Sequence, residues 1–217
     1  MNLNYSINGV LFSQLGIKVA SSEGVVDGLS LKEPFAVDWP DAHGQVVDLS
    51  RPRYEAREIR LTCWMVASSA DNFLTQQNAL LTELVKSGTQ RLQFTPVTGK
   101  PLVFEVYCKA GVTIKKEWRD GVMIGEFTLI LIEPQPVKYV LIGTGGTTAT
   151  ITLSVVTPIK LHWGDGSVTE AVGANQSYSH TYGGSSGVPY YLIIAGELER
   201  LTEHSKANLT VLWSRLY

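Results

Sequence analysis

The chain has 217 residues, of which 44% are hydrophobic and 18% are charged; 18 Lys+Arg against 20 Asp+Glu give a formal net charge of −2. This length suits one large domain or two small ones, and the apolar fraction excludes disorder over most of the chain. The near-neutral charge argues against a nucleic-acid partner, because binding a polyanion requires a surplus of basic side chains on one face.

The first residues predict neither export nor membrane insertion. They lack the basic leader and the long apolar run of a signal peptide, and no stretch reaches the ~20 apolar residues that a transmembrane helix needs. We therefore expect a soluble protein made in the cytoplasm. Cys63 and Cys108 lie in apolar, strand-like runs, which favours packing in a core; a disulfide and a reactive thiol are the alternatives.

Residues 1–136 are predicted to be mostly strand. Asn8-Gly9 is typical of a tight hairpin turn, and Asp120-Gly121 predicts a second hairpin. Apolar and polar residues alternate over 59–65 and again over 102–108, as in strands with one buried face. The run 127–132 is apolar on both faces, so it should lie centrally in a sheet or at an interface.

One helix is predicted over residues 69–87. Ser68 and Asp71 resemble a capping box, and an apolar stripe follows at helical spacing. The stripe consists of Phe73, Leu74, Leu80, Leu81, Leu84 and Val85. Lys86 suits the carboxyl-terminal end of the helix dipole, and Gly88 ends the helix. A single helix among many strands should cover a sheet edge or a barrel end, with its stripe in the core.

A boundary is predicted at Glu133-Pro134-Gln135-Pro136, because each proline removes a ladder donor and favours an extended predecessor. In residues 137–200, short alternating runs at 140–142, 148–155, 159–163 and 190–194 predict a small antiparallel, immunoglobulin-like (Ig-like) β-sandwich. Residues 201–217 follow as a carboxyl-terminal arm, with a short helix as the alternative. The predicted fold class is therefore mainly β: an amino-terminal β-sandwich or partial barrel with one α-helix, and a smaller sandwich after it.

The titratable residues form no catalytic or metal-binding pattern. No pair among the four histidines has the i, i+4 spacing of a helical zinc site, and neither cysteine has a partner at metal-ligand spacing. His162, Asp165 and His180 are the strongest alternative for a metal site, but each has a structural use given below. The glycine-rich stretch 143–146 lacks the Lys and the helix start of a phosphate loop. We predict that the protein is not an enzyme, with no catalytic, cofactor-binding or metal-binding residues.

Two segments of the second half carry a family resemblance. They are Trp163-Gly164-Asp165-Gly166-Ser167 and Ser179-His180-Thr181-Tyr182. Together they are similar to the signature of PKD-type Ig-like domains. The resemblance implies a turn in which the Asp165 carboxylate accepts hydrogen bonds from nearby backbone N–H groups. It places Trp163 and Tyr182 in the core or at its rim and His180 in a strand, and it implies a spacer or binding module rather than a reaction.

The first half shows a series of features in a fixed order. They are Ser6-Ile7-Asn8-Gly9, Leu15-Gly16-Ile17, Asp48-Leu49, Arg57-Glu58-Ile59-Arg60-Leu61, the helix, the strand pair around Asp120-Gly121 and the end at Glu133-Pro134-Gln135-Pro136. This order resembles the amino-terminal domain of phage distal tail proteins, the hub between tail tube and baseplate. The resemblance implies a β-sandwich or partial barrel flanked by a helix, a fold shared with tail-tube proteins, and assembly as six-fold rings.

The two resemblances predict a structural component of a phage or prophage tail or baseplate, located in the virion tail. The first half would form a homo-oligomeric ring, a hexamer, through heterologous interfaces and would contact other tail or baseplate proteins. The second half would present a PKD-like module. Trp39, Trp64 and Trp118 would be interface aromatics or would cover the core under loops. The alternative is a bacterial surface adhesion or carbohydrate-binding protein whose module binds a host-surface glycan, and a hydrolase is a third class.

Overall fold

The computed structural model describes residues 3–119 and 121–217, and over these ranges the protein is mainly β, as predicted. The strands of the first half are β1 (Leu3–Ile7), β2 (Val10–Leu11), β3 (Ile17–Glu23), β4 (Ala36–Asp38), β5 (Gln45–Val47), β6 (Arg57–Ala67), β7 (Gln90–Pro96), β8 (Leu102–Cys108), β9 (Lys115–Arg119) and β10 (Val122–Glu133). Helix α1 spans Ala70–Leu84, and a 3₁₀ helix spans Phe12–Leu15. Within the described ranges, none of the helices has both the length and the apolar character required to cross a bilayer.

Eight strands of the first half form one antiparallel sheet, in the order β2-β1-β7-β8-β10-β6-β3 with β9 also paired to β10. Strand β10 lies inside this sheet, because β6 pairs with almost its whole length and β9 and β8 pair with its other edge. The run 127–132 therefore lies centrally, as its apolar character predicts. Leu61 and Leu129 face each other across the ladder and are fully buried, so one face of each strand is turned to the core.

Helix α1 packs against β6 and the 3₁₀ helix. Its buried side chains are Phe73, Leu80 and Leu84. Leu74 and Val85 belong to the predicted stripe, but they are 53% and 77% exposed. The stripe is narrower than predicted because Leu74 lies about 100° around the helix from Phe73, and because the helix ends before Val85.

The ends of α1 also differ from the prediction. The N-cap is Ser69 rather than Ser68, and its hydroxyl accepts a hydrogen bond from the Asn72 N–H at 3.1 Å. The helix ends at Leu84, four residues before Gly88, which has a positive φ of 83°. Gly88 therefore lies in the turn that follows the helix. The observed helix falls within the predicted range of 69–87 and ends three residues earlier than predicted.

The first predicted hairpin is confirmed. Strands β1 and β2 pair around Asn8-Gly9, whose φ angles are 49° and 84°, as a tight hairpin turn requires. The Asn8 side chain has a further role, since Nδ2 donates to Gln90 Oε1 at 2.8 Å and Oδ1 accepts from the Arg91 N–H at 2.9 Å. Asp120 of the second predicted turn lies outside the described residues, although β9 and β10 pair on either side of it.

The second half is a six-stranded antiparallel sheet in the order β13-β12-β14-β11-β16, with β15 also paired to β12. Its strands are β11 (Lys138–Thr144), β12 (Thr148–His162), β13 (Val168–Thr181), β14 (Pro189–Ala195), β15 (Thr202–Ala207) and β16 (Thr210–Leu216). The runs predicted separately at 148–155 and 159–163 join in β12, and Pro158 falls between Val155 and Ile159, where the ladder is irregular. A proline is tolerated there because no ladder donor is required.

The segment 201–217 is not an arm or a helix, as the sequence analysis expected, but supplies β15 and β16. Strand β15 pairs with the first part of β12, and β16 pairs with β11. The first part of β12 pairs with β15, and its last residues pair with β14. This change of partner along one strand lets the sheet bend over its own core. That core includes Leu141, Ile151 and Leu161, which are fully buried.

Candidate functional site: an exposed arm and a polar seam

A long excursion between β3 and β6 forms an exposed arm, defined here as residues 26–56. None of these residues, all of which the structure describes, is buried. The stem of the arm is a narrow ribbon in which Leu31 and Tyr54 form a β-bridge. Its tip is a hairpin of β4 and β5. The arm therefore has no core of its own in this chain.

Several apolar side chains of the arm are turned to solvent, with exposures between 40% and 78%. They are Val26, Leu31, Phe35, Trp39, Val46, Val47 and Leu49. Scattered exposed apolar residues are ordinary, but seven on one element that buries none of its residues make this element a candidate interaction surface. Of the three tryptophans predicted either at an interface or over the core under loops, Trp39 lies at the arm tip. Trp64 and Trp118 lie on the first sheet, and all three are 43–58% exposed.

Arg57 fixes the root of the arm. Its Nη1 donates to the carbonyl oxygens of Gly24 and Val25 at 3.0 and 3.1 Å. Its Nε lies 3.3 Å from Glu133 Oε2, and both side chains are almost fully buried. One guanidinium thus connects the chain entering the arm to the end of β10.

The link between the two sheets is closed by a buried ion pair. Glu133 ends β10 and Lys138 begins β11, and the carboxylate accepts a hydrogen bond from the ammonium with side chains 1% and 0% exposed. Lys138 Nζ lies 4.3 Å from the centroid of the Phe104 ring, and the guanidinium carbon of Arg57 lies 5.4 Å from it. The proline-containing link 134–137 is therefore held at both ends.

Burial dominates the electrostatics of this cluster. Removal from water disfavours both charges of the pair, so it lowers the pKa of Lys138 to about 8 and raises the pKa of Glu133. Burial also lowers the pKa of Arg57, against the attraction of Glu133. Two cations share one carboxylate, so the cluster depends on Glu133.

Arg91 connects the sheets at a second point. Its Nη1 donates to the Tyr191 carbonyl at 2.5 Å and its Nη2 to the His162 carbonyl at 3.3 Å, both in the second sheet. Its Nε donates to Glu105 Oε1 at 2.6 Å within the first sheet. These residues line part of a cleft of about 550 Å³, but the Arg91 guanidinium and the Glu105 carboxylate are engaged by contacts within the chain. We call this set, with Arg57, Glu133 and Lys138, the polar seam.

Two titratable groups of the polar seam are shifted by each other and by burial. Burial opposes the charge of Glu105, but Arg91 and His162 outweigh it and keep the pKa of this carboxyl below its usual value. Burial lowers the pKa of His162 despite the Glu105 carboxylate, whose Oε2 lies 3.5 Å from Nδ1. The histidine is therefore held as the neutral form at neutral pH.

Apolar contacts continue the seam beside the charged groups. Val103 of β8 packs with Val140, Ile193 and Ala195 of the second sheet, and all are nearly or fully buried. At the edge, the Trp213 Nε1–H donates to the Pro101 carbonyl at 3.0 Å. The two sheets thus share a small core of their own.

The Asp165 carboxylate accepts a hydrogen bond from one backbone N–H and from one hydroxyl, where the PKD-type resemblance implies several backbone N–H donors. Asp165 Oδ1 accepts hydrogen bonds from the Ser167 N–H at 3.0 Å and from the Ser167 hydroxyl at 2.5 Å. Trp163 and Tyr182 are each 1% exposed, so both are core aromatics. His180 lies in β13, and its ring stacks on Trp163 with centroids 5.0 Å apart.

The Ser167, His180 and Asp165 side chains meet, but not as a hydrolytic triad. The same nitrogen, His180 Nε2, lies 2.7 Å from Asp165 Oδ2 and 3.4 Å from the Ser167 hydroxyl. A triad needs the two ring nitrogens to face the acid and the nucleophile separately. Here the serine hydroxyl donates to the aspartate instead. The geometry gives this group a structural role.

The predicted metal alternative and the cysteines can be placed as well. His162 faces Glu105 in the polar seam, whereas His180 faces Asp165. Over residues 3–119 and 121–217, no three His, Cys, Asp or Glu side chains are grouped so as to hold a metal ion. Cys63 and Cys108 are both free thiols. Burial raises the pKa of the Cys63 thiol to about 12, which fits core packing.

The arm and the polar seam were not predicted from the sequence. A signal for the arm exists, because Phe35, Val37 and Trp39 alternate with Ala36 and Asp38 as in a short strand. The seam has no local signal, since the partners of Arg91 lie 14 to 100 positions away. Only the tertiary structure shows which charged residues are buried together.

No protein-family model and no curated protein matches the sequence. Among solved structures, the chain is similar to the Dit protein (gp 19.1) of phage SPP1, with a TM-score of 0.50 and 12% identity over 89% of this chain and 98% of that one. The SPP1 protein is described as a paradigm of the hub adsorption apparatus in phages that infect Gram-positive bacteria. A chain of the phage p2 baseplate, in its activated conformation with Sr, has a TM-score of 0.48 and 9% identity over 97% of this chain and 96% of that one.

The likeness to the SPP1 protein covers both sheets and shows that the chain has a Dit-like fold. It thereby supports the fold that the resemblance of the first half implies. The PKD-type resemblance of the second half stays a prediction.

Proposed function

We propose that this protein is a structural component of a phage or prophage tail, a hub of the baseplate that assembles as a ring, with six copies as the expected number. The exposed arm carries this proposal, because it presents apolar side chains and has no core in its own chain. The Dit-like fold supports it, since the likeness covers 98% of a hub protein's chain.

The arm provides the heterologous contact that a closed ring needs. In such a ring, one surface of each subunit meets a different surface of the next. A projecting hairpin with exposed Phe35 and Trp39 can supply the first surface. One face of the first sheet can supply the second surface, either the face of Trp64 or the opposite face, which carries Trp118. Aromatic residues are enriched at the centres of such interfaces.

The proposed roles of the two halves follow from the strand bounds. Residues 1–136 would carry the arm and form the ring, and residues 137–200 would form a module with an Ig-like or PKD-like character. The strands of 201–217 would complete that module, since β15 and β16 pair with β12 and β11. We assign the protein no enzymatic role, in keeping with the geometry around Asp165 and His180.

The test compares arm variants with a matched control. Phe35→Ser with Val46→Ser removes two arm side chains that are 75% and 64% exposed. Val97→Ser with Val156→Ser removes two side chains of 71% and 67% exposure elsewhere. Light scattering should show that the arm variant stays monomeric at concentrations where the unaltered chain and the control form rings. Equal assembly of all three proteins would overturn the role of the arm.

A further inference from the structure

The stem of the arm contacts the second sheet through a cluster of charges. Arg53 Nη2 lies 2.8 Å from Glu197 Oε1, and Arg53 Nη1 lies 3.2 Å from Glu199 Oε2. The other oxygen of Glu199 accepts from Arg215 Nη2 at 2.7 Å. Glu197 is itself held by the Thr157 hydroxyl at 3.2 Å. The stem is therefore connected to the turn between β14 and β15 of the second half, in addition to the contacts that Arg57 makes at its root within the first half.

An aromatic contact lies beside these charges. The rings of Tyr54 and Tyr217 meet edge to face with centroids 5.7 Å apart, and the guanidinium of Arg215 lies 5.3 Å from the Tyr217 centroid. We call the whole group the stem clamp. Its members are Arg53, Tyr54, Glu197, Glu199, Arg215 and Tyr217.

The stem needs such support because it is a two-stranded ribbon. Its ladder consists of the Leu31–Tyr54 bridge and two adjacent hydrogen bonds, from the Lys32 N–H to the Arg53 carbonyl and from the Glu55 N–H to the Ser30 carbonyl. A ribbon of two strands is marginally stable in water. Without external contacts it would sample many directions relative to the sheets, and reaching a partner would then cost the entropy of ordering it.

We propose that the second sheet sets the direction of the arm through the stem clamp, so that ring formation depends on this sheet although the arm belongs to the first half. The proposal rests on the proposed function, in which the arm reaches the neighbouring copy. A single exposed ion pair contributes little, but two arginines and two carboxylates form a network here. Because the side chains of Arg53, Glu197 and Glu199 are 31–42% exposed, salt should weaken the clamp.

The test measures the arm in the monomeric full-length chain, at concentrations below assembly. Spin labels at Ala42→Cys in the arm tip and Val156→Cys in β12, in a Cys108→Ser background, report the distance between arm and second sheet. We expect a narrow distance distribution that becomes at least about twofold wider in Glu197→Gln with Glu199→Gln. The distribution should widen in the same way when the chain with its clamp charges unaltered is placed in about 1 M salt, where the screening length is about 3 Å.

Glu58→Gln is the matched control, because Glu58 is also a carboxylate with two cationic partners, Arg60 at 2.6 Å and Lys109 at 3.2 Å. It should leave the distribution narrow. The proposal would be overturned if the distribution stays as narrow as that of the unaltered chain at low salt, both in the clamp variant and at about 1 M salt, in protein that circular dichroism shows to be folded. If the variant does not fold, the width of the distance distribution at low and at high salt, measured in the chain with unaltered clamp charges, tests the proposal instead.

This result is independent of the ring. A chain with a narrow, clamp-dependent distribution that never assembles would overturn the proposed function and leave the clamp intact. A chain that assembles equally well with and without the two clamp carboxylates would overturn the dependence of the ring on the second sheet.

Discussion

Glu133 shows how much of this protein depends on single buried charges. Its carboxylate is 1% exposed and faces two cations, Lys138 and Arg57. Arg57 also holds the carbonyls at the root of the arm. The residue therefore connects the end of the first sheet, the start of the second sheet and the base of the arm.

Glu133→Gln should lower the free energy of unfolding by about 3–5 kcal/mol, because it leaves two buried cations without a counter-charge. Urea denaturation followed by circular dichroism measures this change. The control is Glu58→Gln, a carboxylate whose side chain is 32% exposed and whose loss should change stability far less. Similar effects of the two variants would show that the buried cluster is not important for stability.

The burial of His162 should make the free energy of unfolding fall as the pH is lowered. Its pKa is lowered by burial below the ordinary value of 6.5, so the unfolded chain binds a proton at a higher pH than the folded chain does. Its contribution to stability is therefore complete above pH 6.5 and is lost as the pH falls through the folded value. His162→Gln should flatten the fall in unfolding free energy between pH 7 and about 5. A slope unchanged by this substitution would contradict the assignment.

The residue roles that the sequence could predict are local ones. Asn8 forms its own turn, so residue type and spacing were sufficient there. Asp165 accepts a hydrogen bond from a residue two positions away, a role that the resemblance to PKD-type domains implied. Arg91 and Glu133 were beyond such reasoning, because charged residues are ordinarily exposed. Their burial depends on two sheets meeting, which no local pattern encodes.

At the scale of elements, Gly24 is the point where the chain turns from β3 into the arm. Its φ is 78°, and a Cβ at this position would lie 2.0 Å from the Glu58 carbonyl oxygen. The Gly24 carbonyl also accepts a hydrogen bond from Arg57. A side chain here would have to displace the backbone of β6.

Gly24→Ala should therefore destabilise the protein by about 2 kcal/mol or more and make the arm more susceptible to proteolysis. Gly28→Ala is the comparison, because the space around Gly28 is open and its φ is not positive. Thermal unfolding and limited trypsin digestion measure the two effects. Equal protease resistance of the two variants would argue against a fixed arm root.

Elements with a strong period were predictable, and elements without one were not. The helix was placed within a few residues because Phe73, Leu80 and Leu84 repeat at helical spacing. The strands β15 and β16 were missed because their residues are mostly exposed or half-buried and lack alternation. Their strand state comes from pairing with β12 and β11, which is a tertiary effect.

At the scale of the whole molecule, the two sheets are joined by polar and apolar contacts. Charged side chains cross between them at Arg91 and at the Glu133–Lys138 pair, and Val103 packs against the second sheet. The sequence indicated a boundary at 134–136 but not this interface. The mainly β fold was predictable from alternation. The alternation over 35–39 also indicates a short strand in the arm, but no local pattern shows that the apolar residues of the arm stay exposed.

The shared interface predicts that both halves unfold in a single cooperative transition. Asp165→Ala should lower stability by roughly 0.5–1.5 kcal/mol, because it removes the exposed hydrogen bonds that Ser167 donates to this carboxylate. Calorimetry should show one peak that moves to lower temperature as a whole. Two peaks, of which only one moves, would instead support independent domains divided at the proline link.

The central claim, that the chain is a ring-forming hub, is tested most directly by the solution mass of the unaltered protein. Light scattering across a wide concentration range, with negative-stain images of the largest species, measures it. We predict a species of six times the chain mass with six-fold symmetric images. A protein that stays monomeric at every concentration, alone and with other tail proteins added, would contradict the account.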